Sequence, residues 1–200
     1  MGNIFCNNLS ILRQEIFLGS VLFFMTIISG SCHKANFNGR TNLGYLPPAT
    51  QVGANTFGCF VNDSVFIPYT SSDLAPLGSP PILEINCFEV DSGIKISISG
   101  NYERSFTYKS VSIGSDSAVI SSTGAYSFGN GNAKNTLKGD YRSGYAVNSD
   151  YTTDSANTGY LTISRLDLTA RVVSGTFEFY AGNSSHDIVH ITQGRFDVKF

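Results

Sequence analysis

From Gly159 to Phe200 the chain alternates apolar and polar side chains, and that alternation restricts its fold more than any other feature. In Gly159–Leu166, Leu161 and Ile163 take turns with Thr162 and Ser164. In Arg171–Ala181, Val173, Phe177 and Phe179 fall on one face, and Ser174, Thr176, Glu178 and Tyr180 on the other. In Arg195–Phe200, Arg195, Asp197 and Lys199 alternate with Phe196, Val198 and Phe200. Successive side chains of an extended chain point to opposite sides, so each segment predicts a strand with one apolar and one wet face. Asp187–Thr192 predicts a short strand of its own before the last one.

Upstream, Thr56–Val61 and Ser64–Tyr69 flank Asn62-Asp63, two residues that tolerate positive φ, and so predict a tight hairpin. Ile82–Val90 and Ile94–Gly100 flank Asp91-Ser92-Gly93 in the same way, with Ile94, Ile96 and Ile98 set against Lys95, Ser97 and Ser99. Ser71–Pro81, with three of the prolines, predicts a loop. Ser105–Ile113 and Ser117–Phe128 predict further strands, and Gly129–Thr158 a long polar stretch with weak structure of its own. Only 14% of residues are charged; helices favour Ala, Leu, Glu and Lys, whereas Ser, Thr, Tyr and Phe suit strands and turns. The expected fold is all-β, an antiparallel β-sandwich or a barrel-like domain.

The N-terminus predicts an address rather than a fold. Ile16–Gly30 is almost wholly apolar, and at 1.5 Å per residue it spans about 22 Å, short of a ~30 Å hydrocarbon core. That length suits the apolar region of a signal peptide, with Arg13 ahead of it; a buried core helix is the alternative. Ser29-Gly30-Ser31-Cys32 closes the run. Small residues before a Cys resemble the cleavage box of bacterial lipoproteins, in which the Cys becomes the acylated first residue. Ser29 and Ser31 also satisfy ordinary signal peptidase, which would give a secreted, soluble domain. Met1–Ser31 is thus predicted as a signal segment, Cys32 as the lipid-carrying residue, 32–55 as a tether containing Pro47-Pro48, and 56–200 as the β-domain. Several acyl chains on Cys32 would hold the protein to a membrane.

Leu46-Pro47-Pro48-Ala49-Thr50-Gln51 and Gly53-Ala54-Asn55-Thr56-Phe57-Gly58-Cys59 resemble the opening of an uncharacterised lipoprotein family of Bacteroidota. Gly159–Leu166, Val173–Phe179 and Gly194-Arg195-Phe196-Asp197 resemble its closing stretch. The resemblance implies a β-rich outer-membrane lipoprotein of the cell envelope, facing the periplasm or the surface, with no assigned activity or catalytic residues. It also implies O-glycosylation at Asp-Ser-apolar triplets, which would place sugar on Ser64, Ser117 and Ser155.

Chemistry-bearing residues are few. A net charge of −2 with no run of Lys or Arg leaves no basic face for nucleic acid. His186 and His190 have a spacing that binds zinc on a helix, but this segment predicts a strand and no third ligand presents itself. Asn148, Asp150, Asp154 and Asn157 lie in one polar stretch without the spacing of a calcium loop. No cofactor and no metal site is expected. Gly129-Asn130-Gly131 opens no phosphate cradle, because Lys134 stands where a third glycine would. Cys59 and Cys87 lie on predicted strands; they either bridge or, as favoured here, pack as two buried thiols.

Tyr141, Tyr145, Tyr151 and Tyr160 give the polar stretch an aromatic density that suits binding, since Tyr offers contact area at low entropic cost. The expectation is a non-catalytic binding module for a glycan or protein. One alternative is a structural subunit of an envelope assembly that uses an exposed C-terminal strand edge at Phe200. Another is an enzyme using Asp140, Asp150 or Glu178.

Overall fold

The computed structural model describes residues 45–70, 82–104, 107–114, 117–130, 135–146 and 149–200. The predicted signal segment Met1–Ser31, Cys32, the first part of the tether, the loop Ser71–Pro81, Lys134 and Asn148 lie outside them. Twelve strands follow in order: β1 Thr56–Val61, β2 Ser64–Phe66, β3 Tyr69–Thr70, β4 Leu83–Val90, β5 Gly93–Arg104 and β6 Thr107–Gly114. Then come β7 Gly124–Phe128, β8 Lys138–Ser143, β9 Asp150–Thr152, β10 Gly159–Asp167, β11 Val172–Gly182 and β12 Ile188–Lys199. Among the described residues there is no helix, so the all-β expectation holds.

The strands form one mostly antiparallel sheet, open rather than closed into a barrel, with two wings. One wing runs β7-β10-β11-β12-β1-β2 and the other β4-β5-β6-β8-β9, with β3 alongside the end of β5. They meet where Gly182 of β11 pairs with Thr152 of β9. The wings face each other across one core, with Ile94, Ile96, Ile98, Val111 and Ile113 on one side and Phe57, Leu161, Ile163, Phe177, Phe179 and Ile191 on the other. Two glycines set how closely they approach. A Cβ on Gly100 would lie 2.7 Å from the Phe57 ring, and one on Gly139 would lie 2.9 Å from the Phe179 ring. Both large rings therefore sit in space that a side chain on the facing strand would fill.

The predicted hairpin is present, with Asn62 at φ 46° and Asp63 at φ 64°, a left-handed pair that matches the twist of its flanking strands. Three features differ from the sequence expectation. The last two predicted strands are one, because β12 runs through a bulge at Gln193 (φ 50°) where its register shifts against both neighbours. The stretch expected to have weak structure contains β8 and β9, which extend the second wing beyond β6. The C-terminal strand is not an edge: β12 is hydrogen-bonded to β1 on one side and β11 on the other, so no free edge ends at Phe200.

The end of the predicted tether packs onto the domain. Pro47 is buried, and Thr50–Ala54 close over the outer face of β12. There the Asp197 carboxylate accepts hydrogen bonds from Thr50 Oγ1 (2.6 Å), Ser174 Oγ (2.7 Å) and the N–H groups of Gly53 (2.8 Å), Val52 (3.0 Å) and Ala54 (3.2 Å). Alternation places Asp197 on the wet face, yet it is only 1% exposed, because this segment covers it. Burial pushes its carboxyl up, but the converging donors outweigh burial and hold it down at about 2.

Cys59 and Cys87 are both free. Cys59 lies in β1 and Cys87 in β4, on opposite wings, and the bridge left open by the sequence is not formed. Burial raises both thiols, Cys59 far above its ordinary range and Cys87 to about 11, where Arg171 pulls it partly back.

Candidate functional site

The four tyrosines singled out by the sequence do not form one loop. Tyr141 projects inward from β8 and is 6% exposed, with its ring 5.7 Å from that of Tyr151 on β9. Tyr145 is exposed and stacks on Tyr108 at 5.1 Å. Tyr160 is exposed on β10, in the other wing. Only Tyr141 and Tyr151 come together.

They do so where the core opens. The inward face of β5 reads Ile94, Ile96, Ile98, Gly100, Tyr102, Arg104, and that of β6, entered from the same end, reads Ile113, Val111, Lys109, Thr107. Apolar residues therefore give way to Tyr and cations along two neighbouring strands. Tyr102 pairs across with Lys109, Lys109 with Ser143 of β8, and Val111 with Tyr141. With Phe66 of β2 and Val189 of β12 on the opposite wall, these residues line an open cavity of about 700 Å³. That volume falls within the ~300–1,000 Å³ usual for small-ligand sites. Its charged lining residues are Arg104 and Lys109, and neither makes an ion pair among the described residues. Glu103, next in sequence, faces the opposite way and reaches Tyr145. Sequence reasoning missed Tyr102, Arg104 and Lys109. Extending the alternation of Ile94, Ile96 and Ile98 by three more steps would have found the first two.

The remaining candidates disperse. Asp140 pairs with Lys138 at 2.9 Å, and Asp150 is held by Arg142 through a short contact at Nε and 3.1 Å at Nη2. Glu178 lies in the other wing, 3.2 Å from His190 Nε2, and the His190 ring stacks on Tyr180 at 4.0 Å. A shallow groove of about 660 Å³ on this outer face includes Tyr160, Glu178, Tyr180 and Arg195. His186 is in the turn before β12, not on the strand with His190, and the described residues hold no cluster of metal ligands. Asp154 turns back on its own loop, accepting from the N–H groups of Ala156 and Asn157, both at 2.7 Å. Ser64, Ser117 and Ser155 are all exposed.

None of the curated proteins compared with the chain matches it, and no solved structure does. Residues 86–198 match the family model described as "Domain of unknown function (DUF6252)". That match begins in β4 and ends in β12, so it takes in both central strands of the cavity, Tyr141 and Tyr151. Because it covers more than half of the sequence, the chain belongs to the DUF6252 family.

Proposed function

We propose that the protein is a lipid-anchored component of the cell envelope whose β-domain binds a glycan at the open end of the sandwich, without catalysing a reaction on it. The observation that carries the binding half is the inward row Tyr102, Tyr141 and Tyr151 beside Lys109 and Ser143, on paired central strands around an open cavity. Tyr rings offer flat apolar faces to the C–H face of a sugar, and their hydroxyls and the neighbouring polar groups serve sugar hydroxyls. Strands hold such groups more rigidly than loops do. Among the described residues the lining contains no His and no carboxylate, so its described hydroxyls have no such base beside them.

The anchoring half rests on the apolar run Ile16–Gly30 followed by Ser29-Gly30-Ser31-Cys32. Cells fed a tagged fatty acid are expected to label the full-length protein, and Cys32→Ala is expected to abolish the label. Retained label in that variant contradicts acylation at Cys32; an unlabelled wild type found in the medium indicates a secreted soluble domain. On a glycan panel the wild type is expected to bind a subset of oligosaccharides and Tyr151→Ala to lose at least tenfold in affinity for them. A panel on which no oligosaccharide binds, or on which Tyr151→Ala binds unchanged, contradicts the glycan reading.

A further inference from the structure

We infer that the ligand of this cavity is an acidic glycan, with the carboxylate of a uronic acid seated between Arg104 and Lys109. The inference rests on the reading of the open end as a glycan site and specifies its chemistry.

Three observations converge on it. Arg104, exposed at the end of β5, and the half-buried Lys109 of β6 follow the strand face that buries Ile98 and Val111 a few residues away. Inward-pointing charges are known as guards of exposed sheet edges, but these two strands are not edges. β6 is flanked by β5 and β8, and β5 has β6 on one side and β4 and β3 on the other. Edge protection therefore gives no reason for cations here. Second, four described cations have carboxylates close by, Lys138 with Asp140, Arg142 with Asp150, Arg165 with Asp167 and Arg171 with Glu89, while Lys95, Arg195 and Lys199 make no described ion pair but lie outside this cavity. Arg104 and Lys109 make none among the described residues, and no described Asp or Glu lines the cavity. Two like charges with no described counter-ion make a site of positive potential at the mouth of a concave cavity, which concentrates anions.

Third, the walls beside the cations are aromatic. Tyr102 is directly across from Lys109 in the β5–β6 register, and Tyr141 is across from Tyr151. A free inorganic anion needs no such surface, whereas a uronic acid presents a carboxylate at one edge of its ring and a C–H face for a tyrosine. The guanidinium of Arg104 suits a carboxylate because its planar fork donates two parallel hydrogen bonds, and Lys109 adds a point charge.

The test is calorimetric titration of the purified protein with three oligosaccharides of equal length: oligogalacturonate, its methyl ester, and a neutral oligoglucose. Oligogalacturonate is expected to bind, with the methyl ester at least about tenfold weaker. Arg104→Gln and Lys109→Gln are each expected to weaken oligogalacturonate about tenfold while leaving the thermal midpoint unchanged, since neither side chain makes an ion pair among the described residues. Binding of oligogalacturonate is also expected to weaken as salt rises. If the ester or the neutral sugar binds as tightly as the acid and the two charge variants behave as wild type, the acidic-ligand inference is wrong. In that case a loss of binding in Tyr151→Ala would leave the glycan site itself standing. If none of the three sugars binds, the inference is overturned as well. A sulfated oligosaccharide serves as a fourth arm: if it binds and oligogalacturonate does not, the uronate assignment is overturned.

Discussion

Asp197→Asn is expected to destabilise the domain by about 2–4 kcal/mol at neutral pH, although the residue touches no part of the open cavity. Five donors converge on the Asp197 carboxylate, and four of them come from the segment Thr50–Ala54 that closes over β12. An amide offers one acceptor oxygen in place of two and turns a donor toward the other N–H groups. Ser174, fully buried beneath, loses a partner that water cannot easily replace. For a domain of this size the loss corresponds to a fall of roughly 5–10 °C in the thermal midpoint. The pH dependence supplies a second readout. The carboxyl is held down at about 2, from an ordinary value near 3.8, so its contribution is complete above about pH 4 and is lost as pH falls through 2. A depression of that size is worth on the order of 2 kcal/mol. The stability gap between wild type and Asp197→Asn, followed by urea unfolding, should therefore be widest near neutrality and close between about pH 4 and 2. A gap that stays constant through that window would show that the carboxylate's charge is not what holds the segment.

Phe179→Ala is expected to cost about 3–5 kcal/mol, the range for deleting a buried phenylalanine. Phe179 is fully buried in β11, with its ring 5.1 Å from that of Phe128 and lying where a Cβ on Gly139 of the facing wing would be. Gly139→Ala is expected to cost about 1–3 kcal/mol for the opposite reason, because the added methyl group would meet that ring. The two effects share one volume, so they should not add. In a double-mutant cycle Gly139→Ala is expected to cost less in the Phe179→Ala background than in the wild type. Strict additivity would mean that the wings do not close on each other at this point.

The parts legible in the sequence were those where a single period dominates. Leu161 and Ile163 face the core as their alternation with Thr162 and Ser164 requires, and the Asn62-Asp63 turn follows from the conformational tolerance of its two residues. β8 was obscured because its inward residues are Gly139, Tyr141 and Ser143, and neither a glycine nor a serine gives an apolar signal. The continuity of β12 was hidden by Gln193, where a left-handed backbone interrupts the alternation without ending the strand. Asp197 could not be placed by any local pattern. Its burial depends on residues some 145 positions away in sequence, and only the folded chain brings them together. The candidate site was half legible. Tyr141 and Tyr151 stood out by density, but Tyr145, in the turn after β8, and Tyr160, on β10, share that density and lie outside the cavity, since neighbours in sequence need not share a face. Arg104 and Lys109 carry no motif, and they become informative only once β5 and β6 are seen to be central strands.

The most direct test of this account is a nuclear magnetic resonance titration of the labelled protein with oligogalacturonate, because it reports where the sugar sits as well as whether it binds. The expected result is a saturable set of shifts confined to Tyr102, Arg104, Lys109, Tyr141, Ser143 and Tyr151, with the outer groove at Tyr160, Tyr180 and Arg195 unmoved. Shifts confined to that groove, or spread evenly over the surface without saturation, would contradict a glycan site at the open end of the sandwich.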